Sequence, residues 1–285
     1  MNKTWSTPVH AFEEEIVSCA LCGGNVFNLF LKCEGFGYVR CKCGLVQMNP
    51  QPKKDDLHAR YSSTYGKDYL QYELKNESAF LKLQQLALKD AGFKFNLKDN
   101  ALEKTFLDIG CATGALLAYL KECGFSVTGV EISPSAEYAV KQRGLDVKSL
   151  PLEDNSFPNE SFDTVHASHL IEHLKDPRGF LTEAHRIIKP AGCLFITTPN
   201  ISGFQARLFG NRWRSAIFDH LYLFSVRTLI KLLKSTGYKV KCIRTWGGLA
   251  AGTAPGWLKK TADFLAKVFG FGDVMIVRCE VIKPN

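Results

Sequence analysis

Residues 106–114 read Phe-Leu-Asp-Ile-Gly-Cys-Ala-Thr-Gly, follow a polar stretch and run straight into an apolar helical pattern. Two apolar residues and Asp108 would end a buried strand, with Gly110 and Gly114 turning the chain into a helix near Ala115. This is a nucleotide-binding turn with altered spacing. The dinucleotide fingerprint uses three glycines to bring backbone N–H groups up to a pyrophosphate at a helix N-terminus. Here Ala112 stands at the middle glycine position and a carboxylate precedes the turn. Such a carboxylate repels phosphate but accepts hydrogen bonds from a cationic or neutral ligand.

From Thr105 onward short apolar runs alternate with helical patterns, which predicts a doubly wound α/β fold built on a mostly parallel sheet covered on both faces. The first helix runs from Ala115 to Cys123 and stops at Gly124, and the second strand covers Ser126 to Val130. That strand ends at Glu131, where doubly wound folds place an acid able to grip both ribose hydroxyls. A helix opening at Ser133-Pro134 ends near Gly144, and Asp146 to Lys148 is a short third strand. The loop from Leu150 to Asn155 leaves the carboxyl edge of the sheet, so an adenine would lie against Leu152. Phe162 to Ser168 is the fourth strand, a helix from Pro177 ends at Lys189–Gly192, and Cys193 to Thr198 is the fifth strand.

Ahead of this domain, five of the ten cysteines fall between Cys19 and Cys43. That is too sparse for a disulfide scaffold and clustered enough to suggest a metal. Cys19 and Cys22 have the two-residue spacer of a zinc knuckle, Cys41 and Cys43 a one-residue spacer, and Cys33 lies between as a competing ligand. The expected ion is a structural Zn²⁺ in a small zinc-ribbon-like head; the alternative is a set of small buried thiols. Expected boundaries are 1–52 for the head, 53–104 for a helical linker or lid, and 105–285 for the main domain with an insert at 199–224. In the linker, Tyr61, Tyr65, Tyr69 and Tyr72 fall near one helical face, and a helix from Ser78 to Ala91 would bury Phe80, Leu83, Leu86 and Ala87. Plain packing is favoured for the tyrosines over lining a pocket mouth.

No run of about 18 apolar residues appears and the first twenty residues lack a signal peptide's apolar run, so a soluble, cytoplasmic protein is expected. The formal charge of +8 is spread without long basic runs, weak evidence for nucleic acid.

Taken together, Asp108-x-Gly110-x-x-x-Gly114, Glu131, Phe162-Asp163, Glu172-His173 and Lys189-Pro-Ala-Gly192 resemble class I S-adenosylmethionine-dependent methyltransferases over roughly Phe106 to Val281. The cysteine-rich head resembles the zinc-binding segment of some bacterial small-molecule and sugar methyltransferases. The resemblance implies a seven-stranded sheet closed by Tyr238–Arg244 and Val274–Val281. It also implies S-adenosylmethionine as cofactor, Asp108 and Ala167 near its methionine moiety, and Glu131 on its ribose. Cys111, Ile132 and Glu153 complete the candidate cofactor set.

Methyl transfer to a hydroxyl needs a base, and histidine suits neutral pH. His166 lies inside a strand and is expected to be packed, and His173 to be structural. His169 sits at the carboxyl edge and would face the acceptor. The preferred base is His220, whose position resembles a substrate-facing histidine in related enzymes; the alternative is a cap for the helix starting near Ser225. Arg207, Arg212, Trp213 and Arg214 in the insert would suit an acidic acceptor such as a nucleotide-linked sugar or a carboxylate, or form a solvated face. Residues 256–269 form a basic amphipathic pattern that would cover the sheet, with a membrane surface or lipid-linked acceptor as the alternative. The expected reaction is O-methylation of a small sugar-, polyketide- or quinone-like acceptor. The alternatives are a nucleic-acid methyltransferase using the zinc head and a non-catalytic cofactor-binding subunit.

Overall fold

The structure is a computed structural model that describes residues 14–53, 64–95, 104–247, 261, 266–267 and 269–283. Its head contains β1 (Glu14–Glu15), β2 (Phe27–Cys33), β3 (Phe36–Cys41), β4 (Val46–Met48) and β5 (Gln51–Pro52). A long helix α1 (Thr64–Asp90) leads to β6 (Thr105–Ile109), α2 (Ala115–Glu122), β7 (Ser126–Val130), α3 (Ser135–Arg143) and β8 (Val147–Lys148). Then come β9 (Phe162–Ser168), α4 (Pro177–Ile187), β10 (Ile188–Pro199) and the insert helix α5 (Phe204–Phe209). The chain closes with β11 (Tyr222–Leu223), α6 (Val226–Ser235), β12 (Tyr238–Trp246) and β13 (Val274–Val281).

Seven strands form one sheet in the order β12-β13-β10-β9-β6-β7-β8. Pairing is parallel from β10 through β8, and β13 alone runs antiparallel to its neighbours β10 and β12. The central strands are buried on both faces because helices cover both, as the run Val165–Ala167 beside Leu107–Ile109 shows, with His166 and Asp108 as its paired polar members. Local signals set the helix ends: Asp176 accepts the N–H groups of Arg178 and Gly179 with Pro177 in the first turn, and Ser225 forms a capping box with Thr228.

Two expectations need correction here. Helix α1 starts at Thr64, well before Ser78, and its presumed core stripe points outward: Phe80, Leu83 and Leu86 are 36%, 53% and 49% exposed, while Ala87 and Leu88 are buried. The reason is that α1 crosses an open cavity, so Phe80 and Leu83 meet space and not core, while Leu86 lies exposed outside the cavity lining. Lys189–Gly192 belongs to β10, not to the end of α4, with a register shift between Ile188 and Cys193 that keeps the pairing to β9 going.

The head is not a separate bead. Its sheet has the order β11-β4-β3-β2, so one strand comes from the main domain, with Tyr222 opposite Gln47 and Leu223 opposite Val46. The buried Tyr38 hydroxyl reaches the carbonyls of Ile217 and His220 at 2.8 and 2.9 Å. The head therefore holds the segment that carries His220. No helix among the described residues is long and apolar enough to cross a membrane. Most of 256–269, together with Tyr61 and the Tyr65 side chain, lies outside the described residues.

Candidate functional site

A cavity of about 1460 Å³ opens at the carboxyl edge of the sheet, roofed by α1. One end is formed by Gly110–Thr113, Glu131–Ser133 and Leu152–Glu153; the other by Ser168–Leu170, His173, Ser215, Asp219 and His220. The expected cofactor and acceptor ends thus share one space.

At the turn, Gly110, Ala112 and Gly114 have φ of 74°, 52° and 75°, all left-handed. Gly114 does more than bend the chain: a Cβ there would lie 2.6 Å from Leu145 and 3.2 Å from Ala139, so this glycine lets α2 pack against α3. It is not among the cavity-lining residues, nor are Asp108 and Ala167, which are buried behind the wall. Asp108 lies 2.7 Å from Nδ1 of the equally buried His166 on the adjacent strand. Cys111, Ile132, Leu152 and Glu153 do line the cavity.

Glu131 is held in place before any ligand arrives, since its two oxygens accept the N–H groups of Ala112 at 3.0 Å and Ser133 at 2.8 Å. Lone pairs remain on both oxygens for a vicinal diol. Helix α1 adds two acids absent from the sequence reading. Glu77 accepts the Thr113 hydroxyl at 2.7 Å and Glu73 the Ser135 hydroxyl at 2.6 Å, which ties the roof to the turn and to α3. Burial, aided by Glu131 and Glu77, pushes the Glu73 carboxyl up to about 7. A buried carboxylate gives no sign in a single sequence; only the helical continuation through the tyrosines hinted that this face mattered. Glu131 and Glu153 line this end beside Glu73 and an Arg143-paired Glu77, a wall that suits a ligand with hydroxyls and positive charge better than a phosphate.

At the far end, His169 has a left-handed φ of 52° and lies at the cavity wall, about half exposed. Its Nδ1 meets Oε1 of the buried Glu172 at 3.2 Å, and the other oxygen of Glu172 accepts the Thr198 hydroxyl at 2.9 Å. Burial opposes ionisation of Glu172, but the hydrogen bond from His169 and the neighbouring imidazoles outweigh it and hold the carboxyl at about 2. The His-x-x-Glu spacing after a strand was the available signal for this pair. His220 is buried, its Nδ1 donating to the Ser215 carbonyl at 2.9 Å, and its ring packs edge-on to His173 with centroids 4.7 Å apart. Burial, with His173 beside it, pulls the His220 imidazole down to about 4. His173 in turn donates Nδ1 to the Asp219 carbonyl at 2.8 Å.

The insert arginines do not converge. Arg214 reaches the cavity and lies 3.4 Å from Asp273, Trp213 is buried with its indole N–H on the same carboxylate at 2.9 Å, and Arg207 faces elsewhere. In the head, the sulfurs of Cys19, Cys22, Cys41 and Cys43 all lie within 4.8 Å of one another. Cys33, at the end of β2, is outside this group.

A family model described as "Methyltransferase domain" matches residues 80–243. The ubiquinone biosynthesis O-methyltransferase of Caulobacter vibrioides is 34% identical over 130 residues, covering 43% of this chain and 50% of that protein. Its counterpart from Cereibacter sphaeroides is 31% identical over 115 residues, 38% of this chain and 47% of that protein. The chain thus spans about half the length of the curated relatives it matches. Among solved structures, a SAM-dependent methyltransferase from Thermotoga maritima aligns with a TM-score of 0.54 at 23% identity, over 76% of this chain and 95% of that one. One from Archaeoglobus fulgidus gives 0.52 at 20% identity, over 74% and 99%. These structural likenesses concern the fold.

Proposed function

This chain belongs to the methyltransferase-domain family, and from that premise we propose that it moves the methyl group of S-adenosylmethionine onto an oxygen of a small, quinone-like phenolic acceptor. The observation that carries the reading is one cavity whose wall includes both the Glu131 turn and His169, the latter backed by the buried Glu172. The O-methyltransferase names of the relatives support oxygen as the atom and a quinone-like ring as the acceptor.

Glu131 takes the ribose diol, Gly110, Cys111 and Ile132 line its surroundings, and Leu152 with Glu153 borders the adenine. Asp108 and Ala167 act from behind the wall, Asp108 by fixing His166. Gly114 sets the packing that holds the turn. When bound, the cofactor supplies an electrophilic methyl carbon on a sulfonium, so the protein must align the acceptor and take its proton.

His169 is the better base. With its Nδ1–H on Glu172, Nε2 is left to accept a proton, and the adjacent carboxylate stabilises the imidazolium that forms. His220, preferred from sequence, is too weak a base at about 4 to take a phenolic proton efficiently near neutral pH. It stays neutral and presents Nε2 as an acceptor that orients the acceptor hydroxyl. The four clustered thiols suit a closed tetrahedral Zn²⁺ site of structural type.

The test is release of demethylated cofactor with catechol- and quinol-type acceptors set beside nucleotide sugars. Turnover with phenols is expected; turnover confined to sugars would overturn the acceptor assignment.

A further inference from the structure

A second cleft of about 520 Å³ lies where the head meets the insert and α6. Arg40 and Lys42 enter it from the head, Arg207 from α5, and Arg227 and Lys231 from α6. Among the described residues no carboxylate lines it, and none of these five exposed cations has an ion pair with a described residue. Bringing like charges from three separate parts of the fold into one concavity is self-repulsive unless an anion shares the space. Arg227 and Lys231 are also four apart on one helix, a spacing at which like charges destabilise.

Two of the cations are positioned. The Arg40 guanidinium sits 3.9 Å above the Phe30 ring, and Lys231 Nζ donates to the Cys43 carbonyl at 3.2 Å. Stacking and a neutral carbonyl fix these side chains without discharging them, which leaves their remaining donors for a ligand. The volume exceeds what a lone phosphate fills and is of the size that holds small ligands. Short helix α5 contributes Gln205 to the main cavity and Arg207 to this cleft, so the two sites share a wall.

We propose that this cleft binds the phosphate groups of a diphosphate-sized anion, at a site separate from the methyl-transfer cavity. The proposal stands whatever the acceptor is. Its ligand is either a soluble diphosphate or the phosphate head of an anionic lipid.

Titration calorimetry of the full chain with inorganic pyrophosphate at physiological salt tests it. The expected result is one saturable site, weakened about tenfold or more by Arg227→Gln and by Arg207→Glu, and unchanged by Lys239→Glu on exposed β12. Thermal unfolding of each variant confirms that it folds. No saturable binding, or equal weakening by Lys239→Glu, would overturn the site. Phosphatidylglycerol vesicles separate the sources: binding that pyrophosphate displaces assigns a lipid phosphate, and pyrophosphate binding without vesicle binding assigns a soluble one. Vesicle binding indifferent to both pyrophosphate and Arg227→Gln, with no pyrophosphate site, counts against the proposal.

Discussion

The backbone N–H of Ala112 donates to the Glu131 carboxylate at 3.0 Å, from a residue held at a left-handed φ of 52°. An L side chain there costs about 1–2 kcal/mol, while glycine costs about 0.5–1 kcal/mol through the unfolded chain. Ala112→Gly is therefore expected to raise stability by up to about 1 kcal/mol, read as a higher midpoint in urea. Cofactor affinity should hardly change, because the N–H is retained. Glu131→Ala should do the opposite. It strands two N–H groups at a cost of about 1–3 kcal/mol and removes the diol acceptor, so calorimetry with the demethylated cofactor should show binding weakened about tenfold or more.

Glu73 makes stability depend on pH. Its carboxyl ionises near 4.5 when unfolded and at about 7 in the folded chain. Below 4.5 both states are protonated and no cost arises. As pH rises from 4.5 to 7 the unfolded chain loses its proton first, and folding loses up to about 3 kcal/mol. Glu73→Gln keeps an oxygen for the Ser135 hydroxyl and has no proton to lose. Urea midpoints at pH 5 and pH 8 should fall more for wild type than for the variant; parallel falls would remove Glu73 as the cause.

The strands around the cofactor turn were readable because short β-branched and aromatic runs sit between turn residues. Ser126–Val130 follows Gly124 and stops before the helix start at Ser133-Pro134, and Phe162–Ser168 follows Pro158-Asn159, so both have the expected ends. What escaped the sequence depended on distant partners. The first half of α1 has polar residues where a core helix would be apolar, since it roofs a cavity, so its start at Thr64 was hidden. Pairing of β11 with β4 joins Tyr222 to Gln47 across most of the chain, and two residues of strand carry no period. Ligand order in the head was ambiguous because Cys33 has a plausible position in sequence. The hairpin of β2 and β3 places Cys33 at the far end from Cys41.

His169 and Glu172 should separate catalysis from binding. His169→Ala is expected to lower kcat about 10²–10⁴-fold with cofactor affinity retained, and Glu172→Gln to lower it through loss of the charge that supports the imidazolium. Raising the pH supplies phenolate directly, so the His169→Ala deficit should shrink as pH approaches the phenol's pKa of about 10. A deficit constant with pH would make His169 a structural residue. His220→Asn should raise KM more than it lowers kcat, as expected for a group that orients the acceptor.

Metal removal should reach the active site through the head. If Cys19, Cys22, Cys41 and Cys43 hold Zn²⁺, purified protein contains about one ion per chain, Cys33→Ser keeps it and Cys22→Ser loses it. Chelation would then loosen β3 and β4, and with them the Tyr38 hydroxyl that reaches the Ile217 and His220 carbonyls and the β4–β11 pairing beside them. Among the described residues no hydrogen bond joins the turn at Gly110–Gly114 to the head sheet, so cofactor binding should outlast acceptor turnover as chelator is added. Parallel loss of both would show that the head supports the whole fold, and full activity in metal-free protein would show that packing of the thiols alone suffices.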